Sequence, residues 1–271
     1  MLADGSLKLA IFANQKYHFY LRFFIELAYN GKPFHGWQIQ PNAESVEATL
    51  ENGLSLLLKE PVDVVGAGRT DTGVHASFMV AHFDSLSQEI NGDLVHRLNS
   101  FLPNSVVVYR IYQVQNSAHA RFDATVRTYH YKITQRKNPF LTDWAYEFKP
   151  TLDLDLMNQA AQLLLSHVNF KCFSRSNTDV KTYNCNISQA EWLIQDDLLL
   201  FVVSADRFLR NMVRALVGTL LEVGVGRIEI KDFKNILDSE NRSEAGASVP
   251  AHGLYLVDIK YPKNIYPDDR Q

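Results

Sequence analysis

Asp71 lies in the stretch of this 271-residue chain most suited to chemistry, Gly66-Ala-Gly-Arg-Thr-Asp-Thr-Gly-Val-His-Ala76. Three glycines surround Arg69 and Asp71, and glycine permits backbone conformations closed to other residues. An arginine two positions before an aspartate in a tight loop can pair with it, keeping the carboxylate ionised and fixing its direction. Such a carboxylate is a usable nucleophile or base. Spacing alone is met equally by a turn that Asp71 caps while Arg69 is solvated, since Gly/Asp/Thr loops are common. Asp71-Thr72-Gly73 is also the aspartic-protease tripeptide. It occurs once, so a symmetric dimer would have to supply the second carboxylate, and Gly68-Arg69-Thr70 precedes it rather than an apolar strand. A phosphate loop is weaker still, because no Gly-Lys-Ser/Thr follows the glycines. His75, His82 and Asp84 match no standard metal spacing and read as structural groups. Cys172 and Cys185 are too few for a disulfide framework or a four-thiolate zinc site. No metal and no cofactor is expected.

Two basic stretches point to an anionic partner. Between Arg97 and Lys137 stand Arg97, Arg110, Arg121, Arg127, Lys132, Arg136 and Lys137 against the single acid Asp123, a local charge of +6 in a chain whose total is −3. Tyr109, Tyr112, Phe122, Tyr129 and Tyr131 interleave with them. Cations for phosphates beside rings for bases are the two ingredients of single-strand and loop recognition. A solvated strand face with ordinary strand tyrosines is the plainer alternative. In Arg207-Phe-Leu-Arg-Asn-Met-Val-Arg214 the arginines recur at i, i+3 and i+7, which predicts one basic helical face. Like charges on one face repel, so an anionic partner, or an acid elsewhere in the fold such as Asp71, is the economical reading. Arg121, Arg127, Arg207 and Arg210 are accordingly expected to bind substrate.

The elements that must position these groups follow from periodicity. Alternating apolar residues predict a strand over 19–28, and Val46, Leu50, Leu54 and Leu57 behind Ser45 predict a capped helix. Strands at 62–67 and 77–84, a helix at 92–100 and a strand at 105–114 complete one β-α-β-β-α-β set. A second set is expected from a strand at 126–135, a helix at 153–166, strands at 186–195 and 198–205, a helix at 207–223, a short helix at 231–239 and a last strand at 253–261. The expected fold is α+β: two similar halves with antiparallel sheets, helices packed on one face, and a basic active-site cleft between the halves. The expected divisions are an extension at 1–18, an N-terminal domain at 19–115 carrying the Asp loop, a C-terminal domain at 116–262 and a tail at 263–271. With 46% hydrophobic residues and 21% charged the composition is that of a globular chain, and no apolar run nears the ~18 residues of a membrane span. An acid at position 4 and only Lys8 beside a short apolar stretch argue against a secretory signal. A cytoplasmic protein is expected.

Taken together, the residues closely resemble the tRNA pseudouridine synthase A family. Besides Gly68-Arg-Thr-Asp-Thr-Gly-Val-His-Ala76, the matching pieces are Tyr29-Asn-Gly, Gly36-Trp-Gln, Ala120-Arg-Phe-Asp-Ala124 and Arg127-Thr-Tyr129-His-Tyr131. Phe208-Leu-Arg-Asn-Met-Val-Arg214-Ala-Leu-Val-Gly218 and Pro250-Ala-His-Gly-Leu-Tyr-Leu256 follow in the family's order, so the resemblance spans roughly residues 22–261. It implies an isomerase that converts uridine to pseudouridine at positions 38, 39 and 40 of the tRNA anticodon stem-loop, works without a cofactor and forms a homodimer with RNA lying across both subunits. Carried over by position, it makes Asp71 the nucleophile, Arg69 and Arg214 its ionic and base-displacing partners, and Tyr129 the ring that packs on the uracil and assists proton abstraction. Thr72 departs from the family's more frequent alanine, and its hydroxyl could bond to Asp71; residues 1–18 extend beyond the family's usual start. The alternative of another class is a non-catalytic RNA-binding module using the same basic and aromatic surface.

Overall fold

The structure, a computed structural model, describes residues 20–87, 90, 92–175 and 180–266. The expected extension at 1–18, Phe19 at the start of the first expected strand, and residues 267–271 of the expected tail lie outside the described residues. Among the described residues, nine strands and five α-helices follow in chain order: β1 (Leu21–Tyr29), α1 (Val46–Leu58), β2 (Val65–Gly66), β3 (His75–Ser85), α2 (Gly92–Phe101), β4 (Val106–Gln113), β5 (Val126–Thr134), β6 (Tyr146–Glu147), α3 (Leu154–Leu163), β7 (Ile187–Gln195), β8 (Leu198–Ala205), α4 (Met212–Gly224), α5 (Ile230–Asp238) and β9 (Leu254–Lys260). α1 and α3 start on local, polar caps that take up free helix N–H groups. Ser45 Oγ accepts Ala48 N–H at 3.3 Å, and Asp153 Oδ1 accepts Leu156 N–H at 2.9 Å. Among the described residues no helix is long and apolar enough to cross a membrane.

The strands form one sheet rather than two. Its order is β4-β1-β3-β9-β5-β8-β7, with β2 added to β3 and β6 to β5. β9 is the reason. It runs antiparallel to β5 and parallel to β3 through His75↔Tyr255 and Ala76↔Leu256, so the last strand closes the gap between strands from the two ends of the chain. Two apolar clusters lie along this sheet. One draws on residues 23–124 with Leu256, Ile259 and Ile265, the other on residues 131–254 with Val74. β1 is covered on both faces. Its alternating Phe23, Ile25 and Leu27 are buried, but so are Phe24 and Glu26. Phe24 packs edge-on to Tyr261 at 5.2 Å, and Glu26 is held by the Arg110 guanidinium and the Tyr112 hydroxyl.

α4 begins later than its periodicity predicts. After β8 the Asp206 carboxylate accepts the N–H groups of Arg207 (2.7 Å) and Asn186 (2.8 Å), a local side-chain bond that competes with helix entry. Asn211 then takes a left-handed conformation, φ 65°, and only Met212 starts the helix. Arg207 and Arg210 therefore lie in a loop, and Arg214 alone of the three is helical. Within α4, Gly218 lets residues 245–249 cross closely: a Cβ there would lie 1.8 Å from the Ala247 carbonyl oxygen.

Candidate active site

The Asp71 loop joins β2 to β3 and is pinned from below by the segment that follows β1. Trp37 N–H donates to Thr70 O at 3.1 Å, the Tyr29 hydroxyl bonds Thr70 Oγ1 at 2.8 Å, and Gly31 N–H donates to His75 Nδ1 at 3.1 Å. Gly36 makes this approach possible. Its φ is +95°, and a Cβ would stand 2.5 Å from Thr70 O. Because His75 Nδ1 accepts, Nε2 carries the proton and faces Asp143 O at 3.2 Å; burial lowers the pKa of the ring, keeping it neutral. The ring is stacked between Tyr255 (4.7 Å) and Trp144 (5.1 Å).

With Thr70 turned into the core, a turn closed by Val74 N–H to Asp71 O at 3.1 Å presents the carboxylate, 28% exposed, to the start of α4. Its Oδ1 faces Arg210 Nε at 3.5 Å and its Oδ2 faces Arg214 Nη1 at 4.0 Å. Two cations thus face the one carboxylate. Neither contact is a short hydrogen bond, so the oxygen lone pairs remain open to an electrophile. Arg214 is held in place by Nε to Val249 O at 2.7 Å. A cation in a helix's first turn opposes the helix dipole, and Asp71 supplies the compensating charge. Arg69 differs from the expected arrangement. It is exposed and, among the described residues, makes no ion pair with Asp71. The turn at Asp71–Val74 carries the carboxylate away from it. Thr72 is exposed and forms no bond to Asp71.

Tyr129 completes the setting. Its ring meets Phe208 edge-on at 5.1 Å. Burial pushes its hydroxyl up to about 12; the nearby Arg127 charge pulls it down and the Asp71 charge pushes it further up. The structure thus brings Asp71, Tyr129, Arg210 and Arg214 together. Arg121 is exposed, its guanidinium 5.8 Å from the Phe122 ring, and that ring is 75% exposed. Arg207 donates to Thr182 O at 3.3 Å. Arg127 is half-buried, and its four hydrogen bonds go to backbone carbonyls.

The local charge of +6 is much reduced in space. Arg110 pairs with Glu26, Arg136 with Asp197 at 3.2 Å and Arg97 with Asp93 at 3.8 Å, while the Lys132 ammonium sits 4.0 Å from the centre of the Tyr255 ring. Two of these acids, Glu26 and Asp197, are remote in sequence, and a count confined to the stretch does not register them. The supporting roles of Tyr29, Trp37 and Phe208 were also missed. Their only sequence signal was membership in motifs whose parts lie far apart in the chain.

A family model described as tRNA pseudouridine synthase matches residues 160–262, a stretch that holds Arg210 and Arg214. The relative named tRNA pseudouridine synthase A from Parabacteroides distasonis is 51% identical over 249 residues, covering 91% of this chain and 98% of its own. A relative of the same name from Porphyromonas gingivalis is 51% identical over 250 residues, with 90% and 99% covered. One from Acetivibrio thermocellus is 37% identical over 237 residues, with 87% and 97% covered.

Proposed function

Because the chain belongs to the tRNA pseudouridine synthase A family, an isomerase family, we propose that it converts uridine to pseudouridine at positions 38, 39 and 40 of the tRNA anticodon stem-loop, with Asp71 as nucleophile and no cofactor. The observation that carries this reading is the part-buried Asp71 carboxylate facing Arg210 and Arg214 at 3.5 and 4.0 Å, with Tyr129 near enough for the Asp71 charge to raise the pKa of its hydroxyl. A binding module has no use for a carboxylate turned toward anionic RNA.

In the proposed sequence the target uridine leaves its stack, at a cost of a few kcal/mol, and the exposed Arg69 side chain enters the vacated space. Asp71 attacks the nucleoside, at C1′ or at uracil C6. The glycosidic C–N bond breaks, the uracil turns while packed on Tyr129, and C5 bonds to C1′. On the C1′ route that bond displaces the Asp71 carboxylate, on the C6 route the carboxylate leaves with the C5 proton, and loss of that proton finishes the isomerisation in either case. With its hydroxyl near 12, Tyr129 is a neutral phenol in the resting enzyme and serves first as a ring. Once Asp71 is esterified its negative charge is gone, one influence raising the Tyr129 pKa disappears, and the opposing Arg127 charge remains. On the C6 route Asp71 is still esterified when the C5 proton leaves, so the change favours proton acceptance at that step.

Arg121, Arg207 and Arg210 line the approach in this reading. The cleft would run between an N-terminal domain at 19–115 and a C-terminal domain at 116–262; the two apolar clusters follow this division apart from Val74, Ala118, Ala120, Ala124, Leu256 and Ile259, which pack with the other half, and Ile265 of the tail, which packs with the first. A homodimer with RNA across both subunits follows from the resemblance and is checked by sedimentation with and without tRNA. The chemistry itself is tested by release of tritium from [5-³H]uridine in tRNA. Turnover at the three anticodon-stem positions supports the proposal, and binding of tRNA without release from any position contradicts it.

A further inference from the structure

Arg127 and Tyr129 are two residues apart on β5, so their side chains leave the same face of the strand. Arg127 spends its guanidinium in an unusual way. Nη1 donates to Ala124 O at 3.0 Å and Asp206 O at 2.7 Å, and Nη2 donates to Ala67 O at 2.9 Å and Arg121 O at 2.6 Å. A guanidinium has four terminal N–H bonds and one on Nε; all four terminal ones are used on backbone. Among the described residues no carboxylate pairs with it, and burial pulls its pKa down. A partly desolvated cation that forms no ion pair is costly; here four charge-assisted bonds and the nearby Asp206 charge retain it.

Those four carbonyls are not a random set. Ala67 lies four residues before Asp71, on the loop that carries the carboxylate. Asp206 lies four residues before Arg210 and eight before Arg214, on the segment that carries both cations. One rigid planar fork therefore grips the two backbones whose spacing defines the 3.5–4.0 Å gap between Asp71 and its arginines. We propose that Arg127 is a positioning residue for the isomerisation, setting the Asp71–Arg210/Arg214 gap by clasping the Ala67 and Asp206 backbones, and that it does not bind RNA. The inference rests on the reading that Asp71 carries the chemistry. Lysine cannot replace Arg127, since a single ammonium lacks the planar fork that spans four acceptors.

The experiment compares Arg127→Lys and Arg127→Met with the parent enzyme and with Asp71→Asn. The substrate is unmodified transcribed tRNA containing [5-³H]uridine, and circular-dichroism melts give the folded fraction. Misplacing reacting groups by about 1 Å can cost ~100-fold. The expected result is a fall in kcat per folded molecule of that order in both Arg127 variants, with the tRNA Kd within about threefold and the slope of log Kd against log salt unchanged. A kcat within about threefold of the parent in folded Arg127→Lys overturns the inference. Weakened binding with a salt slope smaller by about one also overturns it, because that is the signature of a lost phosphate contact. Failure of both variants to fold overturns it too, since it would make Arg127 an element of the fold rather than of the site. If Asp71→Asn is inert while Arg127→Lys runs at the parental rate, only this inference fails. If Asp71→Asn still turns over, the nucleophile reading fails instead.

Discussion

The two arginines that face Asp71 are expected to matter in inverse order to their distance from it. Unit charges 3.5–4.0 Å apart attract by about 4–5 kcal/mol at an effective dielectric near 20 and by about 1 kcal/mol in bulk water. Arg210 is nearer, at 3.5 Å, but its side chain is 57% exposed. It belongs at the aqueous end of that range, where exposed pairs contribute about 0–1 kcal/mol. Arg214, at 4.0 Å, is 22% exposed and anchored on Val249 O at 2.7 Å, so about 2–3 kcal/mol is the reasonable figure at an intermediate dielectric. Taken as the energy that holds the carboxylate aimed for attack and converted at 1.36 kcal/mol per decade, these figures have Arg210→Met slow the chemical step by up to about 5-fold and Arg214→Met by about 30–150-fold. The assay is single-turnover tritium release with enzyme in saturating excess over [5-³H]uridine tRNA, which removes binding from the observed rate. Arg210→Met should instead show its loss in affinity, with the salt slope smaller by about one if the exposed guanidinium meets a phosphate. Equal single-turnover losses in the two variants, or a larger loss for Arg210→Met, would refute the assignment of the work by burial rather than by distance.

Other consequences are as specific. Tyr129→Ala should cost about 1–3 kcal/mol in kcat/KM if the ring stacks on the uracil, and unchanged kinetics would take Tyr129 out of the site. Buried His82 accepts Ala120 N–H at 3.1 Å, and burial holds its pKa at about 4 against an ordinary 6.5. The unfolded chain takes up the proton first, so this contribution is fully present above pH 6.5 and is lost as the pH falls toward 4. Between pH 7 and 4.5 that amounts to about 2–3 kcal/mol, and urea unfolding of His82→Asn should show a correspondingly shallower acid limb; identical limbs would remove His82 as a cause. Gly36→Ala combines a φ of +95° with a Cβ 2.5 Å from Thr70 O, for a loss of about 2–4 kcal/mol in unfolding free energy. A loss under about 0.5 kcal/mol would show that the Asp71 loop does not rest on Gly36.

Most elements were legible because their burial has a simple period. β8 occupies the expected 198–205, and β5 and β7 fall within one residue of expectation at each end. What periodicity could not convey is which edge a strand joins. β9 reads the same whether it closes its own sheet or bridges to β3 through two parallel residues, so one sheet was taken for two. The Arg207–Arg214 spacing fits a helix, but the Asp206 carboxylate bonds the next N–H and keeps the first two arginines out of it. The same stretch carried a correct suggestion, an acid elsewhere in the fold that answers the arginine repulsion, and Asp71 stands opposite Arg210 and Arg214. Arg69 was the natural partner along the chain. A turn of four residues decided otherwise, and such a turn has no period to detect. The charge of Arg127 was visible in the sequence, whereas its acceptors, four backbone carbonyls from three separate segments, carry no side-chain signature at all.

The central claim is that the Asp71 carboxylate forms the covalent bond that lets uracil detach and turn. Its most direct measurement is single-turnover tritium release from [5-³H]uridine tRNA by Asp71→Asn, in parallel with tRNA affinity. Asparagine keeps the size and removes the charge and the nucleophile, so release should vanish while the Kd stays the same or tightens, one negative charge having been taken from a surface that meets phosphate. Tritium release at a rate comparable to the parent enzyme would contradict the account.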